Sequence, residues 1–197
     1  HVMFGAETIE VSTFRAHGVQ PMLTLGIWAF GRDSSVVLAD DDSIVAAIEE
    51  EKLSRSPGTG GIPRLSVARC LEQANASIQD VQIATFPLRP GLSSLRETAF
   101  RFRQSFSGAD PSSWIQSLGR SLRQAGQVRQ IRSLYGGAGS FLFLDHHLCH
   151  AASAYYASPF ERALVLTLDE RGDMRSGSLY LGEGDELRLL KTLSFPN

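Results

Sequence analysis

The chain has 197 residues, 43% of them hydrophobic and 20% charged, with a formal net charge of −2. That length and apolar content suffice to bury a core and exclude an intrinsically disordered chain. The near-neutral balance gives no global reason to expect a nucleic-acid or anionic-membrane partner, and Cys70 and Cys149 lie too far apart to read as a disulfide framework. A reducing, cytoplasmic setting is therefore the expectation. The longest apolar stretches, Val36 to Leu38, Ile44 to Ile48 and Ala163 to Leu168, fall far short of a membrane span. The ends, His1-Val2-Met3 and Phe195-Pro196-Asn197, read as those of a fragment. Residues 1–21 lack periodicity and read as a flexible lead-in or an artificial remnant, with the folded part running over 22–197.

From the amino terminus, Met22 to Phe30, Ser34 to Ala39 and Ser43 to Ile48 are apolar and β-prone, the last two separated by the polar turn Asp40-Asp41-Asp42. Short connections predict an antiparallel meander. After the Gly/Pro-rich break Ser56 to Pro63, the spacing of Leu65, Ala68, Leu71 and Ala74 predicts a helix with those residues toward the core. Val81 to Phe86 reads as a strand. Leu92 to Tyr135 is helical in character, with stripes Leu95-Ala99-Phe102-Phe106 and Trp114-Leu118-Leu122-Ala125, and it ends at Gly136-Gly137-Ala138-Gly139. A short strand over Phe141 to Leu144, a helix over His146 to Ala157, a strand over Ala163 to Leu168 and a hairpin from Ser178–Leu181 and Leu187–Leu193 follow. This order matches no simple doubly wound pattern and predicts a mixed sheet with helices on both faces.

Three of the five histidines fall within His146-His147-Leu148-Cys149-His150. On a helix His146 and His150 stand one turn apart on one face, where two neutral imidazoles can aim at one cation. Asp169 ends the apolar run Ala163 to Leu168, and a carboxylate at a buried strand tip calls for a partner or a cation. The bland alternative makes the histidines ordinary helix-start residues and Asp169 a cap of the turn with Gly172. His147 faces elsewhere and suits a supporting or substrate-facing role, and Cys149 suits packing. Asp33, in the turn Gly31-Arg32-Asp33-Ser34-Ser35, lies where exposed amides can hold an anion, although such a turn is more often only a turn. The run Glu49 to Arg55 reads as a solvated strand end. Eight arginines between Arg89 and Arg132, against Glu97 and Asp110, form a basic insert that suits a phosphate-bearing ligand, another domain or plain solubility.

Read together, Asp145-His146-His147-Leu148-Cys149-His150-Ala151-Ala152-Ser153-Ala154-Tyr155-Tyr156-Ala157-Ser158-Pro159-Phe160 and Ala163 to Asp169 resemble the signature of carbamoyltransferases of the nodulation-protein U and cephamycin or aminoglycoside type. Leu25-Gly26-Ile27 with Asp33-Ser34-Ser35, and Ile44 to Arg55 as a strand, are similar to further family segments. The resemblance, over Met22 to Asn197, implies the amino-terminal lobe of an α/β, actin-like ATPase fold of the sugar-kinase and heat-shock-protein superfamily, ribonuclease H-like. It implies His146, His150 and Asp169 as ligands of a divalent metal, iron first, with manganese or zinc as alternatives. It also implies Asp33 and Glu50 as contacts to the carbamoyl donor or acceptor. ATP and carbamoyl phosphate are the implied co-substrates, forming carbamoyl adenylate in a separate carboxy-terminal domain. The carbamoyl group then passes to a hydroxyl of a small-molecule acceptor, a natural product or glycan, at the metal. The adenylate-forming domain, the second lobe and a further aspartate ligand are expected to be missing, so that the fragment is inactive alone. Departures are the absence of a Lys-His pair after Arg55, Glu170 in place of the family's glycine, and Asp173-Met174 in place of Glu-Trp. Competing readings are a non-catalytic, metal-stabilised interaction module and an actin-like phosphotransferase, the latter predicting no histidine-bound metal.

Overall fold

The computed structural model describes residues 22–29, 31–58, 60–88, 98–100, 102–103, 106, 112–172 and 175–194. The expected lead-in, Leu95, Asp173 and Met174 lie outside the described residues. Strands β1 (Leu23–Trp28), β2 (Ser35–Ala39), β3 (Ile44–Glu49), β4 (Val81–Phe86) and β5 (Ser140–Phe143) form a five-stranded sheet in the order β3-β2-β1-β4-β5. The meander expected at the start is present: β1 pairs antiparallel with β2 and β2 with β3, while β4 joins β1 and β5 joins β4 in parallel. The sheet is mixed and the class is α/β, as the sequence predicts. Alternation places Leu23, Leu25 and Ile27 of β1 inward, where they meet Val36, Leu38, Val81, Ala84 and Phe86. The turn after β2 is held by Asp40, whose Oδ1 accepts from the amides of Asp42 and Ser43 and from the Ser43 hydroxyl.

The run after β3 is not a solvated strand end but a short helix, α1 (Glu50–Ser54). The Glu50 amide donates to the Ser34 carbonyl at 2.9 Å, and its carboxylate, on a residue only 8% exposed, accepts from Leu65 N (3.0 Å), Ser66 N (2.8 Å) and Ser66 Oγ (2.7 Å). Those donors open α2 (Arg64–Gln73), whose N-cap Pro63 offers no side-chain acceptor. The core face of α2 also differs from the expected one: Ser66, Val67 and Cys70 are buried, while Leu65 is 48% exposed and Ala68 faces solvent. A three-residue spacing precesses around a helix, so only the later members, Leu71 and Ala74, reach the core beside Val67 and Cys70.

In the middle of the chain α3 (Ser112–Tyr135) anchors through its carboxy-terminal half. Ile131 and Tyr135 enter the core and Gln127 Nε2 donates to the Ala29 carbonyl at 3.1 Å. The expected stripe on this helix is not the buried one, because Leu118, Leu122 and Ala125 are exposed. Phe102 and Phe106, expected to face the core, are exposed and pack edge-to-face on each other, Phe102 also on Trp114. The helix stops at Gly136, where a β-carbon would meet the Arg132 carbonyl oxygen at 2.7 Å.

After β5, α4 (His146–Tyr155) leads into β6 (Arg162–Gly172), β7 (Arg175–Glu183) and β8 (Glu186–Ser194). These strands form a second, three-stranded antiparallel sheet rather than extending the first. Its inner face, Val165 and Tyr180, receives Ala151 and Tyr155 of α4, and the Tyr155 hydroxyl donates to the Glu161 carbonyl at 2.7 Å. Burying each large side chain there contributes roughly 1.5–3 kcal/mol. The opposite face carries Leu164, Leu166 and Leu168, each more than half exposed.

Candidate metal centre

Helix α4 starts at Asp145, an extended residue whose Oδ1 accepts from the Leu148 amide at 3.1 Å. An aspartate N-cap satisfies one of the amides that a helix start leaves unpaired, and so fixes where the first turn begins. That start places His146 and His150 on one side of the helix and turns His147 inward, where it is fully buried. His147 Nδ1 lies 2.9 Å from Thr167 Oγ1 and its Nε2 lies 3.3 Å from the Arg175 carbonyl oxygen, tying the helix to β6 and β7.

His146 Nδ1 lies 3.0 Å from the carbonyl oxygen of Pro87, just after β4. A carbonyl only accepts, so Nδ1 carries the proton and Nε2 presents its lone pair to the opposite side. There His146 Nε2 stands 2.8 Å from Asp169 Oδ2 and 3.0 Å from His150 Nε2, and His150 Nε2 stands 3.7 Å from Asp169 Oδ2. One ligand atom from each residue falls within 4.8 Å of the other two. Three lone-pair donors this close repel one another unless a proton or a cation lies among them. Burial holds His150 below the ordinary imidazole value, and the facing His146 adds to this, with Asp169 opposing. The neutral, ligating form of His150 is thereby favoured. Two imidazoles and a carboxylate are a donor set that suits iron, manganese or zinc.

The three side chains border a cavity of about 520 Å³, walled by Trp28, Pro87 and Leu168, with Cys149 beside the histidines. The cavity therefore spans the two sheets, from the end of β1 and the exit of β4 to β6. Asp169 lies within β6 rather than at its tip or in the following turn, and the β6–β7 register shifts between Leu168 and Gly172.

The structure thus brings His146, His150 and Asp169 together, and leaves Asp33 and Glu50 elsewhere. Asp33 is exposed in the bend before β2, Glu50 is buried at the start of α1 with its carboxylate against the first turn of α2, and neither lines this cavity. Sequence reasoning missed Pro87, Trp28 and Arg175, whose roles depend on contacts 28 or more residues apart, and it passed over Asp145, which an N-cap search ahead of His146 finds.

Residues 23–197 match the family model described as the carbamoyltransferase N-terminus. An uncharacterised protein of Synechocystis sp. is 32% identical over 186 residues, covering 88% of this chain and 29% of the relative. Nodulation protein NolNO of Sinorhizobium fredii is 31% identical over 163 residues, covering 83% of this chain and 23% of the relative. The chain thus spans under a third of the length of these relatives. Among solved structures, YeaZ from Pseudomonas aeruginosa superposes with a TM-score of 0.45 at 15% identity, over 88% of this chain and 67% of that one. A family match running from β1 to the last residue, across the helix and the strand that hold the histidine–aspartate cluster, makes this chain a member of the carbamoyltransferase N-terminus family.

Proposed function

We propose that the chain is the amino-terminal part of an O-carbamoyltransferase that delivers a carbamoyl group, drawn from carbamoyl phosphate through carbamoyl adenylate, to a hydroxyl of a small-molecule acceptor. The observation that carries this reading is the convergence of His146, His150 and Asp169 on the wall of an accessible cavity. A divalent cation held by these residues, iron first, supplies charge for the donor phosphate and polarises the carbamoyl carbonyl. The chain's own residues do the rest. The Pro87 carbonyl keeps the His146 ring in the tautomer that leaves Nε2 unprotonated, partial desolvation and the facing His146 favour the neutral form of His150, and Trp28 and Leu168 give the cavity apolar walls.

Asp33, exposed ahead of β2, has room to meet a donor or acceptor. Glu50 in this reading builds the α1–α2 corner. Adenylation belongs to polypeptide beyond this chain, consistent with relatives more than three times the matched length. A non-catalytic metal module fits less well, because His146, His150 and Asp169 border a cavity through which a substrate can reach a bound ion.

The test uses the full-length protein. Metal analysis should find one divalent ion per chain, and carbamoyl phosphate, ATP and a hydroxyl acceptor should give a carbamoylated product. Replacing His146 or Asp169 should remove both. A protein that binds the ion tightly yet transfers no carbamoyl group to any of a panel of hydroxyl acceptors would point to the module instead.

A further inference from the structure

We propose that Arg175 and Asp145 form a positioning pair that sets the histidine-bearing turn of α4 against the aspartate-bearing strand β6, and so governs how tightly the His146–His150–Asp169 site holds a divalent cation. The inference rests on the metal reading above.

The carboxylate of Asp145, which the Tyr180 hydroxyl also meets, serves two tasks at this turn. Oδ1 caps α4 through the Leu148 amide, and Oδ2 accepts from the Arg175 guanidinium at 2.9 Å. The two side chains are 11% and 29% exposed, so the pair is largely shielded from water and differs in kind from a surface ion pair. Arg175 engages the same turn a second time, through its backbone carbonyl, which lies 3.3 Å from His147 Nε2. Thr167 completes the tie: its Oγ1 lies 2.9 Å from His147 Nδ1 and 3.2 Å from the Ser178 carbonyl oxygen, to which it can donate. The residues on both sides of His146 are therefore fastened to the β6–β7 hairpin.

That hairpin is the one that carries Asp169. Its ladder is regular up to the pairing of Leu168 with Gly177, shifts, and resumes at the pairing of Gly172 with Arg175. Asp169 falls inside the shift, where strand pairing alone does not fix its position. Arg175 stands where pairing resumes, and it links that point to the cap of the helix that holds the two imidazoles. One residue thus spans the gap between the two halves of the ligand set.

The experiment compares Arg175→Gln, Asp145→Asn and the double variant with Arg175→Lys, which keeps the charge. Asparagine retains a capping oxygen, so Asp145→Asn removes the charge while leaving the cap. Each variant is titrated with Zn²⁺ after metal removal, and its melting temperature is recorded separately. Single variants should bind Zn²⁺ at least about tenfold more weakly, in the range seen when supporting contacts to ligands are lost. The double variant should be no weaker than the worse single, because both remove one interaction. Arg175→Lys should recover part of the loss. Variants that melt lower yet bind Zn²⁺ with wild-type affinity would overturn the proposal and leave the pair a stability feature. ¹⁵N imidazole spectra of the metal-free protein give a second readout: the Nδ1-protonated tautomer of His146 should become mixed in Arg175→Gln. If the wild type binds no Zn²⁺, the metal reading fails. The pair is then judged by these spectra alone, and an unchanged tautomer overturns it.

Discussion

Replacing Glu50 by Gln separates a supporting role from a chemical one. In the protein the Glu50 carboxylate receives three hydrogen bonds, from Leu65 N, Ser66 N and Ser66 Oγ, at 2.7 to 3.0 Å. Glutamine keeps one acceptor oxygen and turns the other position into an NH₂ group. Whichever way the amide is placed, that NH₂ meets either the Leu65 or the Ser66 amide, donor against donor, at a residue 8% exposed. The Ser66 hydroxyl can rotate to accept, but a backbone N–H cannot. Losing one charge-assisted hydrogen bond and leaving its donor unpaired costs about 2–3 kcal/mol. For a chain of this size that corresponds to a fall in melting temperature of about 5–10 °C. Calorimetry with Glu50→Gln should show that fall, with Zn²⁺ affinity at the histidine cluster unchanged. A variant that melts within a degree of wild type but loses carbamoyl transfer would refute this reasoning and make Glu50 a substrate contact, as the family resemblance implies.

His146→Ala and Asp169→Asn should each lower divalent-cation affinity by at least about tenfold, measured by titration of metal-free protein. Burial pushes the Cys70 thiol up to about 11 and the Tyr135 hydroxyl up to about 12. Both groups favour the protonated form more in the folded state, so their contribution is full below about pH 9 and lost as pH rises through those values. Urea unfolding should therefore show constant stability from pH 7 to 8.5 and a decline above pH 9, with Cys70→Ala removing part of the slope. A Cys70→Ala protein with the same alkaline slope would contradict this. Gly182→Ala puts a β-carbon 2.5 Å from the Tyr155 ring, so the ring or the strand beneath it must give way. Overpacking of this kind costs about 1–3 kcal/mol, which denaturant midpoints will detect.

Much of the strand content was legible because period-two alternation and β-prone residues act locally: β1, β2, β3 and β4 lie close to where Leu23, Val36, Ile44 and Val81 suggest. The faces of helices were less so. On α2 a buried serine, Ser66, outranks Leu65 because Glu50 reaches it from another helix, and no hydropathy pattern encodes that. On α3 Leu118 and Leu122 repeat like a core stripe but are exposed, since among the described residues the helix joins the apolar core through Ile131 and Tyr135.

What the sequence by itself determined is the set of donor groups and half of its geometry: two imidazoles one turn apart on a helix, and a carboxylate after an apolar run. Helical periodicity and capping are local, so they survive in any fold that keeps that segment helical. Only the tertiary structure decided that these groups meet. Folding carries β6 back against α4 so that Asp169 arrives at 2.8 Å from His146, the Pro87 carbonyl holds the His146 Nδ1 proton and leaves Nε2 facing Asp169, and Arg175 ties the hairpin to the helix cap. Those contacts join residues 23, 59 and 30 positions apart, and packing between separate elements, rather than any local preference, sets them.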